Sequence, residues 1–137
     1  MTATLSDRGP DAGGTWVDHH AALGHRRLAV IDIPGGAQPM TVETPEGPLV
    51  LVYSGEVYNF VELRNELIAC GHRFDTRSDT EVVLRGYQEW GDGVAERLNG
   101  MYAFAVWDGP AQRLVLIRDR VGIKPLYLHS TPDGVLF

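Results

Sequence analysis

The chain has 137 residues, of which 44% are apolar, and a formal net charge of −6, which suits one domain with a real core. The acidic balance and the lack of a Lys/Arg cluster argue against a nucleic-acid surface, and no apolar run resembles a membrane span or a signal peptide. A single cysteine excludes a disulfide framework and fits a reducing cytoplasm.

The first half of the sequence predicts three strands separated by turns. Apolar and β-branched residues indicate strands over residues 14–17, 21–31 and 49–53. Glycine and proline predict turns at residues 9–10, 34–36 and 45–48. The third strand runs directly into Ser54-Gly-Glu56, so polar groups are expected where it ends.

A first helix is predicted to begin at Asn59, because Glu62 completes a pattern like a capping box, and to end at Gly71. Its apolar face is expected to consist of Val61, Leu63, Leu67 and Ile68. Cys70 falls in the last turn, where we expect a buried structural thiol rather than a nucleophile.

A second helix is predicted to follow Ser78, which forms a capping-box pattern with Glu81. The apolar residues that follow it are Val82, Val83, Leu84 and Tyr87. Asp79 lies in the first turn, where a carboxylate also interacts favourably with the helix dipole. A further short helical stretch is expected over residues 94–98.

The last third of the sequence predicts two hairpins. Residues 101–107 alternate large and small side chains, turn at residues 108–110 and return as a strand over 113–118. A second hairpin is expected from strands at 126–129 and 135–137, joined through residues 132–134. Helices combined with antiparallel pairing indicate an α+β fold.

The residues around the end of the third strand suit a site for a small polar ligand. Ser54 offers a hydroxyl, Gly55 an accessible backbone N–H and Glu56 a carboxylate. Arg27 upstream and Asp79 downstream add a cation and a second acid, a set that suits an amino-acid zwitterion. From the residues alone, a polar strand end with surface charges and no ligand is the alternative interpretation. The five histidines show no metal-binding spacing.

Seven motifs occur in one order along almost the whole chain. They are Arg8-Gly-Pro-Asp11, Arg27-Leu-Ala-Val-Ile-Asp32, Ala37-Gln-Pro39, Ser54-Gly-Glu-Val-Tyr-Asn59, Ser78-Asp-Thr-Glu81, Asn99-Gly-Met-Tyr-Ala-Phe-Ala105 and Arg118-Asp-Arg-Val-Gly-Ile-Lys-Pro-Leu-Tyr127. Together they resemble the glutaminase domain of glutamine-hydrolysing asparagine synthetase, a class II glutamine amidotransferase and Ntn-hydrolase. The stretch from Glu56 to Asn59 points to the synthetase branch, since the related phosphoribosyl-pyrophosphate amidotransferases differ after that glycine.

The resemblance implies a fold and a role for each candidate residue. The fold is an αββα sandwich of two antiparallel sheets between helix layers, incomplete here at the N-terminus. Arg27 would bind the α-carboxylate of glutamine, Asp79 would bind the α-ammonium, and Glu56 would lie beside it. Ser54 and Gly55 would form the oxyanion hole, with Ser54 where the family commonly has Asn. Loss of such a donor costs about 2.7–4 kcal/mol, of which the serine hydroxyl is expected to recover part.

The resemblance also implies a catalytic N-terminal cysteine, whose thiol attacks the glutamine side-chain amide while its own α-amino group acts as the base. The sequence opens Met1-Thr-Ala-Thr4, and Cys70 cannot substitute because an internal residue has no free α-amino group. We therefore expect residues 1–137 to be a partial glutamine amidotransferase type 2 domain without the nucleophile, a leading strand and a helix, and inactive alone. A non-catalytic binding or scaffold domain of the same fold is the alternative.

The partners that the resemblance implies are glutamine and a synthetase domain outside these residues. That domain would use ATP and Mg²⁺ to amidate aspartate to asparagine, whereas residues 1–137 are expected to bind no metal or cofactor. Nucleic acid and membrane are not expected as partners. Residues 124–127 are expected either to face the synthetase domain or, equally, to form a loop and a core strand.

Overall fold

The computed structural model describes residues 1–29, 31–32 and 35–137. Its strands are β1 (Ala12–Val17), β2 (Ala22–Arg27), β3 (Met40–Thr44), β4 (Gly47–Val57), β5 (Gly100–Asp108), β6 (Arg113–Arg118), β7 (His129–Thr131) and β8 (Gly134–Leu136). Its helices are α1 (Phe60–Ala69), α2 (Asp79–Trp90) and α3 (Val94–Arg97), with short 3₁₀ turns at Thr2–Leu5 and Gly91–Gly93. No helix within these ranges is long and apolar enough to cross a membrane.

The centre of the fold is β4, which lies between β3 and β5 in the antiparallel sheet β3-β4-β5-β6. Side chains of a strand alternate between its two faces. Leu51 and Tyr53 therefore enter the larger core, which also contains buried residues of α1 and α2. Val50 and Val52 enter a second core with Leu23 of β2. Burial on both faces explains why this stretch of sequence is almost continuously apolar.

The β1-β2 hairpin covers the face of the larger sheet that the helices leave free. Leu23 packs on that face, whereas Gly24 points the other way, towards the turn at Thr2–Leu5. A Cβ at Gly24 would lie 2.1 Å from the Oγ1 atom of Thr2. The layers are therefore helices, larger sheet, smaller sheet and a short 3₁₀ turn. The fold is α+β with antiparallel sheets, as predicted.

The predicted apolar face of α1 is too wide. Leu63 and Leu67, one turn apart, are buried, but Val61 and Ile68 are 52% and 51% exposed. Ile68 is rotated by about 100° from Leu67 around the helix axis and so falls outside the narrow buried stripe. The expectation of a buried thiol is also wrong, because Cys70 is exposed.

The two predicted helix starts behave differently. The Oγ atom of Ser78 accepts a 3.2 Å hydrogen bond from the backbone N–H of Glu81, which confirms the cap of α2. Asn59 precedes α1 but makes no side-chain cap. Its side chain instead accepts a hydrogen bond from Asn99 N–H at 2.9 Å and donates one to the Arg97 carbonyl at 3.0 Å. A tertiary contact has replaced the local one.

The early strands differ from the prediction at their ends. The predicted strand 21–31 stops at Arg27. Val30, within that prediction, and Pro34, in the predicted turn at 34–36, lie outside the described residues. The structure adds β3, for which the sequence offers no prediction.

The later strands also differ in extent. β4 continues to Val57 because β5 pairs with it as far as Gly100, so Ser54-Gly-Glu56 lies within the strand rather than after it. The last hairpin is formed by β7 and β8, and its first strand begins later than predicted. Residues 124–127 form no core strand, and Tyr127 is 79% exposed.

Candidate functional site

One edge of β4 is open beyond the start of β3. The β3-β4 ladder begins with Met40 opposite Leu51, so among the described strands the rest of β4 pairs with β5 alone. Gln38, just before β3, fills the first vacant position with its side chain. Its Oε1 accepts a 2.6 Å hydrogen bond from Tyr53 N–H, and its Nε2 donates one of 2.9 Å to the Tyr53 carbonyl. The side-chain amide thus extends the ladder by one residue.

The backbone N–H of Gly55 is directed towards this same edge. In an antiparallel strand, the N–H groups of alternate residues point to the same side. Tyr53 N–H goes to Gln38 and Val57 N–H goes to Oδ2 of Asp79 at 3.1 Å, both away from β5. Gly55 lies midway between them, so its N–H points between the Gln38 amide and the Asp79 carboxylate.

Only glycine fits at position 55. Its φ angle is +154°, which side-chain-bearing residues rarely adopt. A Cβ there would lie 2.2 Å from the carbonyl oxygen of Met101 and 2.6 Å from the Cα atom of Tyr102. The backbone of β5 therefore occupies the space that a side chain would need, and bare backbone lines the open edge.

Asp79 is the first residue of α2 and reaches the open edge from the helix layer. It is 4% exposed, and its Oδ2 accepts hydrogen bonds from the Tyr53 hydroxyl at 2.7 Å and from Val57 N–H at 3.1 Å. Burial raises the pKa of Tyr53, and the charge of Asp79 adds to that rise, so the hydroxyl stays a donor. The buried carboxylate is held in a fixed orientation.

Arg27 is the last residue of β2 and is 8% exposed. Its Nη2 donates to the carbonyl of Ile31 at 2.9 Å and to that of Asp32 at 3.0 Å. A Cβ at Gly36 would lie 2.1 Å from the same nitrogen, so this glycine allows the loop to approach the guanidinium. Arg26, the neighbour, points to the opposite face of the strand, as alternation predicts.

Ser54 and Glu56 lie on the face of β4 that the β1-β2 hairpin covers. Alternation puts them on the side of Val50 and Val52, which pack against β2 and its residue Leu23. Ser54 is exposed and Glu56 is half-buried. The inward face of β2, which ends in Arg27, and this face of β4 are therefore turned towards each other, while Asp79 approaches from the other side of β4.

Three further residues hold the candidate site together, and the sequence interpretation assigns no role to them. Gln38 and Asp32 each lie in one of the seven sequence motifs, and this is the only sequence signal that could have pointed to them. Asp32 accepts hydrogen bonds from Gly35 N–H at 3.1 Å and from Arg77 N–H at 2.7 Å. His25 lies close to the Tyr53 backbone and two residues before Arg27 on the same strand face.

His25 is held in its neutral form by its surroundings. Burial lowers its pKa, the polar backbone of Tyr53 opposes this, and the Arg27 charge adds to the lowering. In the part of the chain that the structure describes, no group of three or more His, Cys, Asp or Glu side chains converges. The site is thus built from hydrogen-bonding and charged groups.

The sequence matches one protein-family model over residues 1–137, that of the glutamine amidotransferase domain. Among curated proteins, asparagine synthetase [glutamine-hydrolyzing] 3 of Bacillus subtilis is 47% identical over 137 residues, which are all of this chain and 22% of that protein. Asparagine synthetase [glutamine-hydrolyzing] 1 of the same organism is 42% identical and is covered over 21% of its length. The chain thus spans about a fifth of these relatives.

The fold of the chain is also similar to those of solved structures. The glutamine phosphoribosylpyrophosphate amidotransferase of B. subtilis, complexed with ADP and GMP, matches 83% of this chain and 26% of its own chain, with a TM-score of 0.69 and 26% sequence identity. The allosteric regulatory enzyme of purine biosynthesis matches with a TM-score of 0.68. The similarity in fold therefore accompanies a similarity in sequence.

Proposed function

Because the chain belongs to the glutamine amidotransferase domain family, we propose that it is the glutaminase part of a glutamine-hydrolysing asparagine synthetase. In this proposal the chain binds glutamine, and the ammonia released from the side-chain amide is used by a synthetase domain to amidate aspartate. The synthetase assignment is supported by the identity of 47% to a relative that carries this name. It also fits the stretch from Glu56 to Asn59.

The observation that carries the proposal is the direction of the Gly55 N–H. Its neighbours Tyr53 and Val57 donate to Gln38 and Asp79 at the open edge of β4, so the Gly55 donor faces a space next to a carboxylate. A backbone N–H fixed in this way is suited to an oxyanion, because it needs no rearrangement when negative charge develops. Ser54, the preceding residue, would supply the second donor through its hydroxyl.

The remaining candidate residues would hold the two charged ends of glutamine. Arg27 would bind the α-carboxylate, for which a guanidinium provides two parallel donors. Asp79 would bind the α-ammonium, with Glu56 beside it. The buried, hydrogen-bonded state of both Arg27 and Asp79 supports this, since neither side chain would lose much conformational entropy on binding.

The reaction also needs groups from outside these residues. We expect the attacking thiol and the general base to come from an N-terminal cysteine, because Cys70 lies at the exposed end of α1 and has no free α-amino group. ATP and Mg²⁺ would be bound by the synthetase domain, and no residue of this chain is assigned to them. The single cysteine fits a cytoplasmic protein.

Calorimetric titration of the chain with glutamine and two analogues tests the binding step. One analogue, 4-carbamoylbutanoate, lacks the α-amino group, and the other, 4-aminobutanamide, lacks the α-carboxylate. Glutamine is expected to bind more tightly than either, because each analogue loses one charge-assisted contact, worth about 1.5–3 kcal/mol. No binding of glutamine at millimolar concentration, or equal affinity for all three compounds, would contradict the proposal.

The catalytic step requires a second experiment. A protein in which a cysteine-initiated segment precedes residue 1 should release ammonia from glutamine, and its Cys→Ala counterpart should not. If the chain binds glutamine but the cysteine-initiated protein releases no ammonia, the non-catalytic binding domain is the better description.

A further inference from the structure

Asp32 contacts the Arg27 guanidinium together with Ile31 and Gly36. Its backbone carbonyl accepts hydrogen bonds from Arg27 Nη2 at 3.0 Å and from Gly36 N–H at 2.9 Å. Gly36 in turn lies so close to the guanidinium that a Cβ would stand 2.1 Å from Nη2. The position of the Arg27 side chain therefore depends on the backbone of Asp32.

The side chain of the same residue reaches the start of α2. Its Oδ2 accepts a 2.7 Å hydrogen bond from the backbone N–H of Arg77, which lies 45 residues further along the chain, and its Oδ1 accepts one of 3.1 Å from Gly35. Arg77 directly precedes Ser78, the cap of α2, and Asp79 follows that cap. Asp32 thus contacts the segment that delivers Asp79 to the open edge.

The environment of the Asp32 carboxylate favours its charged form. Hydrogen bonds from the backbone N–H groups of Arg77 and Gly35 lower its pKa, burial opposes them, and the charges of Arg27 and Arg77 add to the lowering. The carboxylate is therefore ionised at neutral pH and can accept from both N–H groups at once.

We propose that Asp32 is a positioning residue that couples the two ends of the glutamine site, fixing Arg27 through its backbone and the start of α2 through its carboxylate. This inference rests on the proposed function, because it assumes that Arg27 and Asp79 bind opposite ends of one amino acid. Asp32 itself does not touch the substrate. It keeps the spacing between the two charged contacts constant.

The backbone conformation of Asp32 limits which substitutions can remove the carboxylate without also straining the backbone. Its φ angle is +47°, in the left-handed region that Asn tolerates better than most residues and that Gly adopts freely. Asp32→Asn keeps the shape but loses one of the two acceptors, and Asp32→Gly loses both. Asp108→Asn is the matched control, because Asp108 accepts from Ala111 N–H at 3.0 Å at the opposite end of β4.

The test measures the affinity of each variant for glutamine and for the two single-ended analogues. The analogue that keeps the α-carboxylate reports on Arg27, and the one that keeps the α-ammonium reports on Asp79. Asp32→Gly should weaken glutamine binding about tenfold and weaken both analogues, whereas Asp108→Asn should leave all three within about twofold. Asp32→Asn should fall between them. Thermal melting establishes whether each variant is folded. If Asp32→Gly does not fold, the affinities of Asp32→Asn are the test.

Two outcomes would overturn the coupling. One is a folded Asp32 variant with unchanged affinities, and the other is a loss confined to one analogue, which would mean that Asp32 supports only one end. Hydrogen exchange of backbone amide and guanidinium N–H groups, followed by NMR, tests the coupling even if the wild-type chain does not bind glutamine and the proposed function fails. Exchange at Arg77 and at the Arg27 guanidinium should accelerate together in Asp32→Gly, and retained protection at either group would refute the inference.

Discussion

The hydroxyl of Tyr53 donates a 2.7 Å hydrogen bond to Oδ2 of Asp79 and joins the central strand to the first residue of α2. Both residues are 4% exposed, so the contact is made away from water, where the loss of one partner is costly. The same carboxylate oxygen also receives the N–H of Val57. The two donors come from the strand residues on either side of Ser54-Gly-Glu56, which fixes the helix start against that segment.

Tyr53→Phe should destabilise the chain by about 1–3 kcal/mol, because a buried carboxylate loses a donor. It should also weaken glutamine binding, since Asp79 loses its orientation. Urea denaturation and calorimetric titration measure the two effects. Tyr87→Phe is the control, because the Tyr87 hydroxyl donates a similar 2.8 Å bond to Asp108 away from the site. Equal losses of glutamine affinity in both variants would show that Tyr53 acts only through stability.

Arg27→Lys should weaken glutamine binding by about tenfold, because an ammonium cannot reproduce the paired donors of a guanidinium. In a cysteine-initiated protein the effect should appear in KM and leave kcat nearly unchanged, since the charge of the α-carboxylate does not change during the reaction. Arg26→Lys, on the opposite face of the same strand, should affect neither constant. An unchanged KM for Arg27→Lys would remove Arg27 from the carboxylate role.

Gly55→Ala should be much more destabilising than an ordinary glycine substitution. Its Cβ would overlap the Met101 carbonyl, which is expected to add about 1–3 kcal/mol to the cost of the backbone conformation. Gly71→Ala separates the two effects, because Gly71 has a φ angle of +98° but a Cβ added there would meet nothing within 4 Å. The denaturation midpoint of Gly55→Ala should lie well below that of Gly71→Ala. Similar midpoints would argue against the close approach of β5.

Ser54→Asn should raise kcat for glutamine hydrolysis in a cysteine-initiated protein. The longer amide side chain adds a donor for the developing oxyanion, a contact that strengthens only in the transition state. Steady-state kinetics measure the change, and Ser54→Ala provides the opposite case, with a lower kcat. An unchanged kcat for Ser54→Ala would indicate that the serine hydroxyl is not the oxyanion donor.

The stability of the chain should fall as the pH is lowered below about 6.5, the ordinary pKa of histidine. Burial lowers the pKa of His25 in the folded state, so the unfolded chain takes up its proton first and gains stability relative to the folded chain. The loss should begin near pH 6.5 and end once the folded-state pKa is passed. His25→Gln should reduce this dependence, whereas His129→Gln, at an exposed position, should not. Equal pH profiles for wild type and His25→Gln would contradict the assignment.

Local signals in the sequence determine much of the secondary structure. The start of α2 is predicted correctly because Ser78 and Glu81 lie close together in sequence, and a cap needs no distant partner. The pairing of β5 with β6 is predicted for the same reason, since a short turn joins them. At Asn59 the predicted helix start is correct, but the predicted side-chain cap does not form. The Asn59 side chain instead bonds to residues some 40 positions away, Asn99 among them.

The sequence alone determined which residues are available for a site: an arginine, two acids, a serine and a glycine. Only the tertiary structure decided how they are arranged. β3 ends its pairing at Leu51, which leaves the N–H of Gly55 on an open edge, and that end point is a property of two strands together. Gln38 and Asp32 reach their partners across 15 and 45 residues. Contacts over such separations form only when the whole chain has folded, because local sequence cannot compensate the entropy of closing the intervening loops.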